Sequence, residues 1–414
     1  MATRDEESAG AQVDLEHVLG LIRRAMTAEA EGNQNMAGKV WVEGVDDAGL
    51  TVVCVRDTDA LYRIKVADLQ ALLALVGPPL RKMRPPDALQ LPYTPRTVTQ
   101  LEVSETTLAP GEAVSVSRLG SDAQSMERIE AVCGSTVEAA GYTCRGPTAE
   151  AQGLEYKPIN EDGVVVRLRA ANLATGVAEV AAIGAFDQAG GEGAVENQSG
   201  AASEAAGRAF EEAVRKIESG ADPEEALRES VHAASEAVRA LGVGAVSTFA
   251  GAVVVNHKAY VVTVGDSRVL LFDRLGTLKR RTELHNMGAK VAAGDMPDIP
   301  PGLALRFAGA LSRGVGTEDD TPDIATWELT AGDRLVAETD GIGDARELEE
   351  MPGGVWHADK CAEDQGRILA HVEGAPAAVA ALVGYALDQM AARYGKPDNI
   401  GGAVLVVLEP RALA

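Results

Sequence analysis

Hydrophobic and polar positions follow two different periods in the first part of the chain. An apolar face with helical spacing begins at Asp14, three strand-like runs follow, and a second helical pattern ends at Gly77. The predicted elements are a helix over 14–32, strands over 39–45, 50–56 and 60–66, and a helix over 66–77. Residues 1–77 are therefore predicted to form a small α+β unit, with a disordered start because residues 1–12 have no apolar pattern.

The next segment has mixed patterns. Residues 78–98 are rich in proline, which favours an extended linker over a packed core. LEVSETTLAPGEAVSVSRL alternates like two strands around a Pro-Gly turn, whereas SMERIEAVCGSTVEAAG (125–141) has helical spacing. We interpret residues 78–150 as a linker followed by a segment that leads into, or braces, the next domain.

Beyond residue 150 the pattern becomes regular, and we predict one domain over 151–412. Several apolar runs follow one another without an intervening helix, so a simple alternating βαβ sheet does not fit. Paired antiparallel sheets flanked by helices fit better. The predicted strands are GVVVRL, VAEVAAIGAF, TFAGAVVVN, AYVVTVG, RVLLFDR, DRLVAET and GGAVLVVL, and the predicted helices are SGAASEAAGRAFEEAVRKIESG, PEEALRESVHAASEAVRALG and APAAVAALVGYALDQMAARYG.

The net charge of the chain limits the classes of molecule that it is expected to bind. The 414 residues carry a formal net charge of -24, with an isoelectric point of about 4.7. Such a chain does not attract nucleic acid or an anionic membrane. No signal sequence or membrane-spanning run is evident, so we expect a cytoplasmic protein. Cys133 and Cys144 could form a disulfide, but reduced thiols are the favoured interpretation.

Four aspartates stand at the edges of four apolar strands. Asp162 and Asp398 each precede a strand, whereas Asp187 and Asp340 each follow one. One such residue alone is typical of an ordinary turn, but four together indicate a cluster of carboxylates at one edge of a sandwich. Clustered carboxylates need a cation to stay ionised, and oxygen ligands without Cys or His favour Mg²⁺ or Mn²⁺. Two such ions can activate a water molecule for phosphate ester hydrolysis.

Six ordered segments within roughly residues 150 to 410 extend this picture. They are KPINEDGVVV, GAFDQAGGEG, GAVSTFAGAVV, VVTVGDSRVLLF, LSRGVGTED with LTAGDRLVAETDGIGD, and KPDNIGGAVLVV. Together they resemble the motifs of the metal-dependent serine/threonine protein phosphatases of the type 2C class, in their bacterial form. The resemblance implies a β-sandwich of two antiparallel sheets flanked by helix pairs, and hydrolysis of phosphoserine or phosphothreonine in proteins. It does not cover the N-terminal unit, which is a candidate docking element for a cognate kinase, a sensor or a second copy.

The resemblance also implies roles for individual residues. Asp187 resembles the acid that bridges two metal ions, Asp340 and Asp398 resemble ligands of one ion, and the carbonyl of Gln188 resembles a ligand of the other. Asp162 resembles the acid that holds metal-bound water. The motif expected to brace a strand and turn is matched by Asp266, Ser267 and Arg268.

Three departures from the family pattern bear on activity. Lys157 stands where the family has its phosphate-binding arginine, so the charge is kept but the planar fork is lost. Gln188 and Ala189 replace the residues after the bridging acid, and a non-glycine residue at 188 costs about 1 kcal/mol if its φ is positive. The LGVGAV segment before Ser247 has no acid, which makes a third metal site doubtful.

Three other functions fit the sequence less well than the hydrolysis of phosphoserine or phosphothreonine. The alternative within the same fold is a catalytically weak or inactive relative that binds a phosphoprotein or another partner, suggested by Lys157 and the altered DQAGG loop. A dinucleotide-binding loop is disfavoured because the GxGxxG spacing is not met after Gly193. A Ser-His-Asp hydrolase is disfavoured because the chain has no GxSxG motif.

Overall fold

The computed structural model describes most of the chain after residue 100 and four short strands before it. The described residues are 3–4, 40–45, 51–57, 60–65, 91–95, 101–120, 128–146, 159–189, 200–242, 244–295, 309–344, 358–391 and 398–409. Lys157, the glycines of GAFDQAGGEG after Ala189 and both helices predicted before residue 78 lie outside these residues.

The N-terminal unit contains a four-stranded antiparallel sheet in the order β1-β4-β3-β2. The three strands predicted from the sequence are all present, and the fourth, at residues 3–4, lies within the start that was predicted to be disordered. The strands are β1 (Thr3–Arg4), β2 (Val40–Val45), β3 (Thr51–Asp57) and β4 (Ala60–Lys65).

The rest of the described chain forms two large sheets and a two-stranded ladder. The strands are β5 (Glu102–Thr107), β6 (Ala113–Arg118), β7 (Arg128–Cys133), β8 (Val137–Cys144), β9 (Gly163–Arg169), β10 (Val180–Phe186), β11 (Gln188–Ala189), β12 (Val246–Ser247), β13 (Phe249–Val255), β14 (Lys258–Val264), β15 (Arg268–Phe272), β16 (Leu278–Arg281), β17 (Asp323–Glu328), β18 (Arg334–Glu338) and β19 (Ile400–Val407). One sheet has the order β17-β14-β13-β10-β9-β6, the other has the order β16-β15-β18-β19-β8-β7-β5, and β11 pairs with β12. All neighbours are antiparallel except β5 and β7.

Two expectations about residues 99–150 need correction. The segment 125–141, with its helical spacing, forms strands β7 and β8, because both strands are buried on both faces and so lose the alternation that marks a half-exposed strand. The sandwich also begins before residue 151. Strands β5 to β8 belong to the two large sheets, and β8 pairs with β19 near the centre of one of them.

Helix pairs cover both outer faces of the sandwich, as the family resemblance implied, and one member of the second pair, at 358–369, was not predicted from the sequence. The helices are α1 (Ala201–Glu218), α2 (Pro223–Leu241), α3 (Met287–Ala293), α4 (Asp340–Gly343), α5 (Ala358–Leu369) and α6 (Ala375–Ala391). One apolar cluster lies between the sheets, a second joins α1 and α2 to the six-stranded sheet, and a third joins α5 and α6 to the seven-stranded sheet. This architecture is the α+β sandwich expected from the pattern.

Part of the proline-rich segment packs on the sandwich. The Tyr93 hydroxyl bonds to Asp388, its ring meets the Tyr385 ring edge-on at 5.8 Å, and Pro95 lies against Gly384. Residues 91–95 are therefore attached to helix α6. None of the described helices is both long enough and apolar enough to cross a lipid bilayer.

Candidate metal centre

Strand register brings the four aspartates to one end of the sandwich. Phe186 pairs with Gly163, so Asp187 after β10 lies beside Asp162 before β9. Glu338 pairs with Gly402, so Asp340 after β18 lies beside Asp398 before β19. We call this end the acidic rim, with the described segments 144–146, 159–163, 187–189, 339–341 and 398–401.

A hydroxyl joins the two sheets across the acidic rim. Thr339 Oγ1 donates to Asp162 Oδ2 at 2.7 Å, and the Gly401 amide donates to Thr339 Oγ1 at 3.0 Å. A methyl group at Gly401 would stand 3.2 Å from Asp162 Cβ, so the glycine allows the sheets to approach. Asp162, which is 1% exposed, is thereby held toward the strand ends that carry Asp340.

The backbone of Asp187 is fixed on both sides. Its amide donates to Thr248 Oγ1 at 2.9 Å, and its carbonyl accepts from the Thr248 amide at 2.8 Å and the Ser247 hydroxyl at 2.9 Å. Its side chain has different surroundings. Among the described residues, the buried Oδ1 of Asp187 has no hydrogen-bond partner. A buried carboxylate oxygen without a donor is costly and is expected to take a cation.

Asn399 clamps the loops that surround the rim. Its Oδ1 accepts from the Glu161 amide at 2.9 Å, and its Nδ2 donates to the carbonyls of Arg145 and Ile159 at 3.3 and 3.2 Å. A Cβ at Gly341 would meet the Asn399 carbonyl at 1.8 Å, so only glycine lets the Asp340 turn pass this close to the Asp398 turn.

The rim residues have the oxygen ligands that a hard divalent cation prefers, but the described side chains do not converge on a single point. The donors are carboxylate and carbonyl oxygens, which Mg²⁺ and Mn²⁺ prefer, and no described residue donates to Asp187 Oδ1. Among the described residues, no three His, Cys, Asp or Glu side chains converge on one point. The structure therefore brings the predicted acids to one rim without closing them into a cage.

Gln188 occupies β11 and is buried, at 8% exposure. Among the described residues, the only non-glycine residues with positive φ are Asn256 and His257. The backbone cost considered for a non-glycine residue at position 188 therefore does not arise. Its side chain bonds to Glu161 and to the start of helix α1.

The Asp266-Ser267-Arg268 segment lies behind the rim. Ser267 Oγ is 2.6 Å from Thr248 Oγ1, the hydroxyl that holds the Asp187 amide. Arg268 Nε donates to Glu338 Oε1 at 2.7 Å, with both side chains buried. Burial alone would lower the pKa of Arg268, but the charge and hydrogen bond of Glu338, with the charges of Cys361 and Asp344, together outweigh burial and raise the pKa. These contacts support the strands that carry Asp187 and Asp340.

Several rim residues were not singled out from the sequence. Thr339 and Asn399 each follow or precede a predicted metal ligand in the sequence, and this position is the only feature by which they could have been identified. Arg145 is the only Lys or Arg of the described rim segments, and it is exposed. It had no signal, because nothing in the sequence relates the end of β8 to Asp398. In the structure, a Cβ at Gly146 would meet the Asp398 carbonyl at 2.1 Å.

Known structures with a similar chain path are bacterial serine/threonine phosphatases. The catalytic domain of PstP, solved with two manganese ions, is 21% identical, with a TM-score of 0.45, and the match covers 66% of this chain and 99% of that one. The S. agalactiae phosphatase is 19% identical, with a TM-score of 0.47 and coverage of 66% and 99%. Stp1 of Staphylococcus aureus is 18% identical, with a TM-score of 0.47 and coverage of 67% and 96%. No protein-family model and no curated protein matches the sequence.

Proposed function

We propose that this chain hydrolyses phosphoserine and phosphothreonine in proteins, with two Mg²⁺ or Mn²⁺ ions as cofactors. The observation that carries the proposal is the buried Oδ1 of Asp187, which has no partner in the part of the chain that the structure describes, on a rim with three other strand-end aspartates. A carboxylate with a purely structural role accepts hydrogen bonds from donors in the protein, whereas a carboxylate that binds a metal keeps an oxygen available for the cation.

Each rim residue then has a defined task. Asp187 would hold both ions, Asp340 and Asp398 would hold one, and the Gln188 carbonyl would hold the other. When bound, the ions supply a water of lowered pKa and neutralise charge on the phosphate. Asp162, oriented by the Thr339 hydroxyl, would hold that water as a hydrogen-bond acceptor. Water is the nucleophile, so no covalent enzyme intermediate forms.

The phosphate group needs a cation from the protein as well. Lys157 is assigned this role from its position in the first motif, and it would act as a point charge without the bidentate geometry of arginine. Arg145 is a second candidate, because it is exposed on the same rim and its carbonyl is bound by Asn399.

The test is hydrolysis of p-nitrophenyl phosphate and a phosphothreonine peptide by the full chain, with Mn²⁺, with Mg²⁺ and with a chelator. We expect activity with Mn²⁺ that the chelator abolishes and that Asp340→Asn strongly reduces. Activity that Asp340→Asn leaves unchanged would contradict the metal assignment.

The same assay tests the alternative function. A protein that is folded by circular dichroism and binds Mn²⁺, but hydrolyses neither substrate, would contradict the enzymatic proposal. That result would favour a phosphatase-like protein that binds a phosphorylated partner without turning it over.

A further inference from the structure

The end of the sandwich opposite the acidic rim contains a cavity of about 880 Å³. Strand β10 runs from Val180 at this end, which we call the far end, to Phe186 at the rim. The floor of the cavity belongs to the core between the sheets, because Val137, Ala181 and Val254 line it and are members of that buried cluster. Its walls include three turns, at residues 135–136 between β7 and β8, 171–178 between β9 and β10, and 256–257 between β13 and β14.

Leu173 lies at the mouth of this cavity, and 94% of its surface is exposed. A tight turn fixes its backbone, since Asn172 and Val177 exchange backbone hydrogen bonds at 2.9 and 3.0 Å. The Asn172 Oδ1 also accepts from the amides of Ala174 and Thr175, at 3.1 and 3.3 Å. A single exposed leucine is ordinary, but this one adjoins an apolar cavity, so the two form one continuous apolar surface.

The cavity carries little charge, although the whole chain has a formal net charge of -24. Among the described residues that line it, the ionisable ones are Glu179 and His257. The Glu179 carboxylate accepts hydrogen bonds from the amides and hydroxyls of Ser135 and Thr136. Two copies of an acidic chain repel each other across most of their surface, but at the far end they can meet without bringing unpartnered carboxylates together.

From these features we infer that the far end is a dimer interface, in which Leu173 of each copy inserts into the cavity of the other. The leucine and the cavity lie on the same surface, so one two-fold axis allows both copies to make the contact at once. The acidic rim lies at the other end of β10, so this interface leaves both rims uncovered. The inference does not rest on the proposed function.

The test measures the mass of the metal-free full chain by sedimentation over a concentration series up to the millimolar range. Leu173→Glu is compared with Leu275→Glu, a matched control at a leucine that is 74% exposed in the turn between β15 and β16. We expect the wild type and Leu275→Glu to dimerise with the same Kd. Leu173→Glu should raise the Kd by more than about 100-fold, because each dimer loses two buried leucines.

The decisive arm mixes two variants that are each folded by circular dichroism. Ala178→Lys places a cation on the cavity wall and should also weaken the dimer by itself. A mixture of Ala178→Lys and Leu173→Glu should form a heterodimer, because the new carboxylate meets the new amine at one contact and the other contact is unchanged. Failure of the two variants to associate would contradict the insertion of Leu173 into the cavity of the partner copy.

Two further results would overturn the inference. One is a wild type that stays monomeric throughout the series. If Leu173→Glu then lowers Tm and Leu275→Glu does not, Leu173 is covered by its own chain and not by a second copy. The other is a dimer that Leu173→Glu weakens no more than Leu275→Glu. The measurement needs neither metal nor substrate, so its outcome is separate from that of the phosphatase assay.

Discussion

The two ends of strand β10 each carry an acidic residue, and the two carboxylates have opposite surroundings. Glu179, before the strand, accepts from the amides of Ser135 and Thr136 at 2.7 and 2.9 Å and from both of their hydroxyls. Asp187, after the strand, leaves a buried oxygen without a partner among the described residues. The sequence placed Glu179 inside the predicted strand VAEVAAIGAF, and the structure begins the strand at Val180, so both acids flank it.

The difference separates a structural acid from a candidate ligand. Glu179 fastens the turn between β7 and β8 to the start of β10, and its charge is satisfied by donors within the protein. Asp187 has its backbone fixed by Ser247 and Thr248, while its side-chain Oδ1 accepts no hydrogen bond from any described residue. Fixing the backbone and leaving the carboxylate unpartnered is the arrangement that a metal site requires.

The largest effect is expected from Asp187→Asn. Because loss of an outer support alone costs 10- to 100-fold in metal affinity, loss of the bridging carboxylate should reduce Mn²⁺ affinity and phosphatase activity by more than about 100-fold. The Tm of the metal-free protein should change little, since no hydrogen bond to Oδ1 is lost. Calorimetry and the phosphatase assay measure the first effect, and thermal unfolding measures the second. A large fall in Tm with intact Mn²⁺ binding would make Asp187 a structural acid.

The opposite pattern is expected from Glu179→Ala at the other end of β10. The variant leaves the Ser135 and Thr136 amides without their acceptor, so the free energy of unfolding should fall by about 1–3 kcal/mol. Denaturant titration measures this loss. Mn²⁺ affinity should stay within about twofold of the wild type, because Glu179 and Asp187 lie at opposite ends of β10 and share no described partner. Weakened metal binding would show that the two ends are coupled.

A smaller effect is expected from removing the two cations that are proposed to bind phosphate. Lys157→Ala and Arg145→Ala should each raise KM for p-nitrophenyl phosphate by roughly tenfold, because a hydrogen bond to a charged group is lost, with less change in kcat. The matched control is Lys258→Ala, which removes a cation at the start of β14 that pairs with Glu328 at 3.2 Å. Equal KM values for the Arg145 variant and the control would remove Arg145 from the site.

The smallest effect is expected from Asp323, the first residue of β17, whose carboxylate has partners in the protein. Burial alone would raise its pKa, but hydrogen bonds and charge from His285 and Arg313 outweigh burial and lower the pKa below its ordinary value of 3.8. The ionised form is therefore favoured in the folded state. Its contribution to stability is present above the ordinary pKa and is lost as pH falls through the lowered one.

Asp323→Asn should accordingly lower Tm slightly at pH 7, and the difference from the wild type should shrink as pH falls below about 4. Thermal unfolding of both proteins across pH 3 to 8 measures this difference in Tm. A difference that grows toward low pH would have the wrong sign. Agreement would show that the Asp323 carboxylate, like that of Glu179, stabilises the fold through partners within the protein.

The sequence by itself predicted many of the strands and helices, the sandwich class and the strand-end positions of the four aspartates. Apolar runs predicted the three N-terminal strands, the helices that became α1, α2 and α6, and the sandwich class, because these segments carry their period locally. The strand-end positions of Asp187 and the other three acids were also evident, since an acid before or after an apolar run marks an edge.

Only the tertiary structure decided how those acids are partnered. Residues 125–141 form strands because the sheet buries both of their faces, which no local pattern could signal. Glu179 finds its donors 43 and 44 positions away, and Gln188 reaches both Glu161 and Ala202. Hydrogen bonds between distant segments depend on register and on the crossing of two sheets, so a carboxylate with donors in the protein and a candidate metal ligand become distinguishable only in the folded chain.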